Sequence, residues 1–149
     1  VSEPCLIEDV LEKEGMYVCT TSGMSMYPML RNRRDTIVIR KKNGRLKKYD
    51  VPLYRRGKSY VLHRIIRVLP DGGYDIRGDN CLEVEKAVPE ENIIGYLDGF
   101  WRGSKEISMN SVLYRIYSRC WVAIHPVIYA YKKMKIFAVR LCKRIFGKK

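Results

Sequence analysis

The last quarter of this chain lacks acidic residues. From residue 110 to residue 149 there are ten Lys and Arg and no Asp or Glu. The residues before it carry nineteen basic and sixteen acidic side chains. Most of the net charge of +13 therefore sits in one cationic segment attached to a nearly balanced body. Long apolar runs are also missing from that segment. Its longest stretch without a charge, Cys120–Tyr131, has 12 residues, and a membrane span needs about 20. At the other end, Ser2–Glu14 is acidic and has no apolar centre, so it does not read as a leader peptide. Histidine is scarce, with two residues, and the five cysteines form no Cys-x-x-Cys pair or His/Cys cluster. That pattern argues against zinc and against a disulfide framework. No metal or cofactor is expected, and the cysteines read as reduced thiols packed as small apolar residues. Internal repeats and low-complexity stretches are absent.

What is present suits one folded domain. Apolar residues make up 46% of the chain, too many for a disordered one. Tyrosine is frequent, and Val and Ile cluster in short runs, which favours strands. A short helix is predicted over Glu3–Glu14, with Leu6, Ile7, Val10 and Leu11 at helical spacing and Gly15 placed to end it. Strands are predicted over Met16–Thr20, Thr36–Arg40, Val51–Arg55, Ser59–Val68, Tyr74–Arg77, Asn92–Trp101 and Lys105–Met109. Turns fall at Asn43-Gly44 and Pro70-Asp71-Gly72-Gly73. Pro52 suggests an edge strand or a bulge. The sum is a mainly β domain over residues 1–109, a small and partly open β barrel.

Residues 110–149 read differently. Ser111–Ser118 suggests one helix, and Pro126 would start or kink a second. From Ile124, the residues Val127, Tyr131, Met134, Ala138, Leu141 and Ile145 recur every three or four positions with Lys and Arg between them. This is an amphipathic helical tail, its apolar face suited to an anionic membrane surface or, alternatively, to packing on the barrel or a second subunit; nucleic acid would attract the charge but would not require the apolar stripe.

The chemistry centres on Ser25. A serine hydroxyl is a poor nucleophile until a base takes its proton, and an oxyanion needs donors facing it. Gly23 permits a tight turn beside Ser25, and Pro28 fixes the chain just after it. The Ser22 hydroxyl and the Ser25 backbone N–H are candidate oxyanion donors. Ser22-Gly23-Met24-Ser25-Met26-Tyr27-Pro28-Met29 resembles the nucleophile box of type I signal peptidases and of the related self-cleaving SOS repressors. Tyr49–Arg56 followed by Leu62-His63-Arg64-Ile65-Ile66 resembles the strands that carry the general base. Arg77-Gly78-Asp79-Asn80 resembles the Gly-Asp-Asn box, and Ile93-Ile94-Gly95 the exit strand. The resemblance spans about Gly15–Gly103 and not the tail. Arg34-Asp35 and Tyr49-Asp50 stand where the family commonly has Gly-Asp turns.

Within that superfamily the His-Arg-Ile context implies the branch that uses histidine. His63 is then the general base, with Lys58 as the rival. A neutral imidazole is available near pH 7, whereas a lysine must first be desolvated. The resemblance offers two acids to orient His63, Asp79 and Glu85, the latter where the branch commonly has Asp. The implied function is a serine endopeptidase cutting a precursor or signal-like peptide, or a preprotein. A self-cleaving regulator is a weaker alternative, because only 24 residues precede Ser25 and no Ala-Gly or Cys-Gly pair lies upstream. A non-catalytic basic membrane- or nucleic-acid-binding module on a peptidase fold is the remaining one. The expected location is the cytoplasm, peripheral on the inner face of the membrane, or anchored in the membrane if a hydrophobic helix precedes Val1.

Overall fold

The computed structural model describes residues 7–146. Cys5 and the first residues of the predicted N-terminal helix lie outside them. Helix α1 (Ile7–Glu14) leads into strands β1 (Met16–Thr20), β2 (Asp35–Lys41), β3 (Pro52–Arg56), β4 (Ser59–Leu62), β5 (Arg64–Val68), β6 (Tyr74–Arg77), β7 (Glu85–Val88), β8 (Ile93–Arg102) and β9 (Lys105–Ser108). Helix α2 (Val112–Phe146) closes the chain. The architecture is mainly β, a curled half-barrel sheet with a C-terminal helix.

The larger sheet has the order β1-β2-β8-β3-β4, with β9 also paired to β8. Every pairing in it is antiparallel. Strand β8 is the spine. It runs along β2 on one side and along β3 and then β9 on the other. Its burial alternates from Ile93 to Leu97, as expected of a strand with one face on a core. The smaller sheet, β5-β6-β7, is built on the hairpin through Pro70–Gly73.

Two apolar clusters fill the fold. Leu11, Met26, Leu30, Ile37, Ile39, Leu53 and Phe100 belong to the first, inside the larger sheet. Tyr54, Ile65, Tyr74, Ile76 and Ile93 belong to the second, beneath the smaller sheet. Adjacent β3 residues, Leu53 and Tyr54, thus serve different cores, as strand alternation requires.

Several predicted elements change. The run Ser59–Val68 is not one strand. Leu62 pairs with Leu53 in the larger sheet, while Arg64 pairs with Arg77 in the smaller one, and His63 is the residue between. Lys58 lies in the β3–β4 turn, exposed, and not on a strand with His63. Pro52 opens a strand that is central, paired to both β4 and β8, so the edge alternative fails, while the register shift between Leu53 and Tyr54 agrees with the bulge. Because proline has no N–H to give a ladder, a strand's first residue is where a central strand tolerates it. Strand β7 was not predicted. The C-terminal segment forms one continuous helix that carries Pro126 inside it, not two helices. Tyr114, Ser118 and His125 on that helix are buried against the body, and Tyr114 joins the first core.

Candidate active site

The nucleophile loop between β1 and β2 is held at its base by Asp35. That carboxylate is fully buried and takes two hydrogen bonds from Arg102, the shorter 2.8 Å, and one from the Arg31 N–H at 2.9 Å. Arg102 also donates to the Met29 carbonyl at 2.7 Å. Burial would raise the Asp35 carboxyl, but the Arg102 guanidinium, the Arg31 N–H and the charges of both arginines hold it below the ordinary carboxylate range. Across the loop, the Thr21 hydroxyl donates to the Arg31 carbonyl and the Gly23 N–H to Asn32 Oδ1 at 2.9 Å. Gly23 has φ +95°, a conformation open to glycine and strained for other residues. Inside the loop, Met26, Met29 and Leu30 are buried in the first core. Ser25 is thus carried on a loop fixed at both ends and anchored from below.

The Gly-Asp-Asn loop packs directly on this one. The Asn80 N–H donates to the Ser25 carbonyl at 2.8 Å, and Asn80 Nδ2 to the Met24 carbonyl at 3.1 Å. Gly78 is the point of closest approach. A Cβ there would lie 2.7 Å from the Ser25 carbonyl oxygen, 2.7 Å from Cys81 Sγ and 3.0 Å from His63 Nε2. Ser25 and His63 therefore flank one glycine. Ser22, Ser25 and His63 line the same cleft, of about 310 Å³, together with Met26, Leu30, Tyr60 and Leu62. Lys58 does not line it.

His63 is buried, and its two nitrogens face different surroundings. Nδ1 lies 3.1 Å from the Tyr54 hydroxyl and 3.3 Å from Glu85 Oε1. The Tyr54 hydroxyl donates to Glu85 Oε1 at 2.7 Å, and Arg56 donates to the same oxygen at 2.9 Å. A phenol has one proton, so with Tyr54 donating to Glu85 the histidine Nδ1 must be the donor to Tyr54. That leaves the Nε2 lone pair on the Gly78–Ser25 side, the tautomer a general base needs. Burial raises the Tyr54 phenol well above its ordinary range, and the neighbouring Glu85 adds to this, so Tyr54 stays protonated. Burial also lowers His63 below its ordinary value, and Glu85 opposes this only in part. The imidazole is therefore neutral at pH 7.

The two sequence-predicted acids separate. Glu85, at the start of β7, is the one beside His63. Asp79 points elsewhere. It forms a bidentate pair with Arg64 at 2.8 and 2.7 Å, and both side chains are almost fully buried. Arg64 also donates to the Tyr114 hydroxyl at 2.6 Å and to the Tyr49 carbonyl at 3.2 Å. Tyr49 itself holds φ +81°, a region that favours glycine. The Asp79 pair ties the His-Arg-Ile box to the Gly-Asp-Asn box.

Helix α2 reinforces the same loop. Trp121 Nε1 donates to the Asp79 carbonyl, His125 Nε2 lies 3.0 Å from the Cys81 carbonyl, and Lys132 donates to both oxygens of Asn80. Sequence reasoning missed these contacts, and it missed Tyr54. Tyr54 lies within Tyr49–Arg56, but its partner Glu85 is 31 residues away, and the sequence does not show that the two meet beside His63. Cys19, Cys81, Cys120 and Cys142 are free, and among the described residues no group of three His, Cys, Asp or Glu is disposed to hold a metal.

Compared with models of protein families and with curated proteins, the chain matches none.

Proposed function

We propose that the chain is a serine endopeptidase of the signal-peptidase type, with Ser25 as nucleophile and His63 as general base. The observation that carries this reading is the pairing at the cleft. A half-buried serine and a buried, neutral histidine line one cleft, the Ser25 backbone carbonyl and His63 Nε2 both approach Gly78, and the histidine's far nitrogen is tied to Tyr54 and Glu85. In the forward step Ser25 Oγ attacks the peptide carbonyl while His63 Nε2 takes its proton. The tetrahedral oxyanion is met by the Ser25 N–H and the Ser22 hydroxyl. His63 then gives its proton to the leaving amine, and an acyl ester remains on Ser25. Water, deprotonated by His63, attacks that ester and frees the acid. Glu85 stabilises the imidazolium at each stage, directly and through Tyr54.

A precursor or preprotein segment would enter extended. The cleft lies between residues that follow β1 and residues of β4, and β1 and β4 are the two ends of the sheet order. Strand addition to either end gives a substrate main-chain hydrogen bonds. The apolar walls at Met26, Leu30, Ile37 and Leu62 suit a small aliphatic side chain before the cut.

The test is hydrolysis of an extended peptide with small residues before the scissile bond. Ser25→Ala and His63→Ala are expected to be inactive, Lys58→Ala to be near normal, and all three to be folded. Activity retained in Ser25→Ala would overturn the nucleophile assignment, and loss in Lys58→Ala alone would move the base.

A further inference from the structure

From the outward face of helix α2 we infer that this protein docks on an anionic lipid surface, with the helix lying in the plane of the interface. At 100° per residue, the face that meets the body carries Tyr114, Tyr117, Trp121, His125 and Lys132. The opposite face is apolar from end to end. Leu113, Ile116, Val127, Met134, Phe137 and Ile145 all fall on it, and each is more than half exposed, Leu113 by 81% and Phe137 by 66%. They occupy an arc about 120° wide on a helix about 50 Å long.

Charge identifies the occupant. Helix α2 has eight Lys and Arg and no Asp or Glu. Arg115, Lys133, Arg140 and Arg144 project along one margin of the apolar arc, and Arg119 shares that margin. A second copy of this chain would bring two such helices face to face with no acidic partner on either. No helix among the described residues is long and apolar enough to cross a membrane. An interface rich in anionic headgroups satisfies both features, with the apolar arc at the acyl boundary and the cations among the headgroups. The body then sits on the aqueous side, because its hydrogen bonds use the other face of the helix; Leu82 comes near the margin of the apolar arc, in a groove it shares with Met134 and Phe137. The same helix grips Asp79, Asn80 and Cys81 beside Ser25, so lipid contact would bear on the segment that supports the cleft.

The inference stands apart from the chemistry at Ser25, and its test uses the full chain and no activity readout. Deleting α2 would remove Trp121, His125 and Lys132 from the body, so substitutions on the exposed face are the right perturbation. Sedimentation with vesicles of pure phosphatidylcholine, and with vesicles containing phosphatidylglycerol, reads the binding. The wild-type chain is expected to bind the anionic vesicles, and more than about tenfold more weakly in high salt. Val127→Glu/Met134→Glu/Phe137→Glu should lose that binding with helical content unchanged. Lys133→Glu/Arg140→Glu/Arg144→Glu should lose the preference for anionic lipid. A wild-type chain that stays unbound, or an apolar-face variant that binds as the wild type does, would overturn the inference. So would a wild-type dimer in solution that the apolar-face variant dissolves while neither protein binds vesicles.

Discussion

Substituting the two acids separates holding the site together from running its chemistry. In Asp79→Asn the Arg64 guanidinium remains, with its side chain 1% exposed and its bidentate partner neutral. Removing one partner of a buried ion pair costs about 3–5 kcal/mol, because the remaining charge is left without compensation. Arg64 keeps the Tyr114 hydroxyl and the Tyr49 carbonyl, and the new amide still accepts one hydrogen bond. The lower end, about 3 kcal/mol, is therefore expected. For a chain of this length each kcal/mol lowers Tm by about 2–4 °C, so the fall should be roughly 6–12 °C. Below its melting range the variant should keep most of its activity, with the acid limb moved only slightly to lower pH, because the Asp79 charge is the smallest of the influences on His63 while Glu85 is the larger. Glu85→Gln should do the reverse. Glu85 is partly exposed and its pair with Arg56 is solvated, so stability should change by less than about 1 kcal/mol. Its catalytic loss should be on the order of 100-fold in kcat, the scale of a compromised general base. Differential scanning calorimetry alongside peptide hydrolysis reads both quantities. Unchanged Tm with lost activity in Asp79→Asn, together with a silent Glu85→Gln, would refute the assignment.

Other expectations follow from the same geometry. Burial lowers the His63 pKa, so the acid limb of kcat/KM should lie below about 6.5. Glu85 raises that pKa, so Glu85→Gln should move the limb to still lower pH; a limb unmoved, or moved upward, would contradict the contact. The same shift acts on stability. Between the lowered folded value and about 6.5 the unfolded chain binds more protons at His63, so this residue's contribution falls as pH drops through that window, which denaturant titrations would read. Gly78→Ala should impair both folding and hydrolysis, because its methyl would meet the Ser25 carbonyl at 2.7 Å. A fully active and equally stable Gly78→Ala would mean that the two loops do not close on each other as described.

The strands were legible where local pattern and tertiary demand agree. Met16–Thr20 and Tyr74–Arg77 form as predicted, the first a short apolar run after Gly15 and the second an alternating run after the Pro70–Gly73 turn. The run Ser59–Val68 misled because Val61, Leu62, Ile65 and Ile66 suit a strand throughout. The break at His63 comes from different partners on either side, Leu53 before it and Arg77 after it. Strand β7 was hidden by its charge, Glu85 and Lys86, and by Ala87, which holds φ +52°. A helix at the C-terminal end was legible, but it was read with a single apolar face. Its inner face is aromatic and polar, Tyr114, Tyr117, Trp121 and His125, and composition alone does not reveal that these meet the Asp79 loop. Motif spacing brought Ser25 and His63 forward as candidates. The choice between Asp79 and Glu85 needed three dimensions, since each acid's partner lies at least fifteen residues away.

The central claim is that His63 activates Ser25. It is tested most directly by exposing the protein to an active-site-directed fluorophosphonate and locating the adduct by mass spectrometry. A single adduct on Ser25, formed at a rate that falls with protonation of His63 and abolished in His63→Ala, is the predicted result. No adduct on Ser25, or labelling of Ser25 at the same rate in His63→Ala, would contradict it.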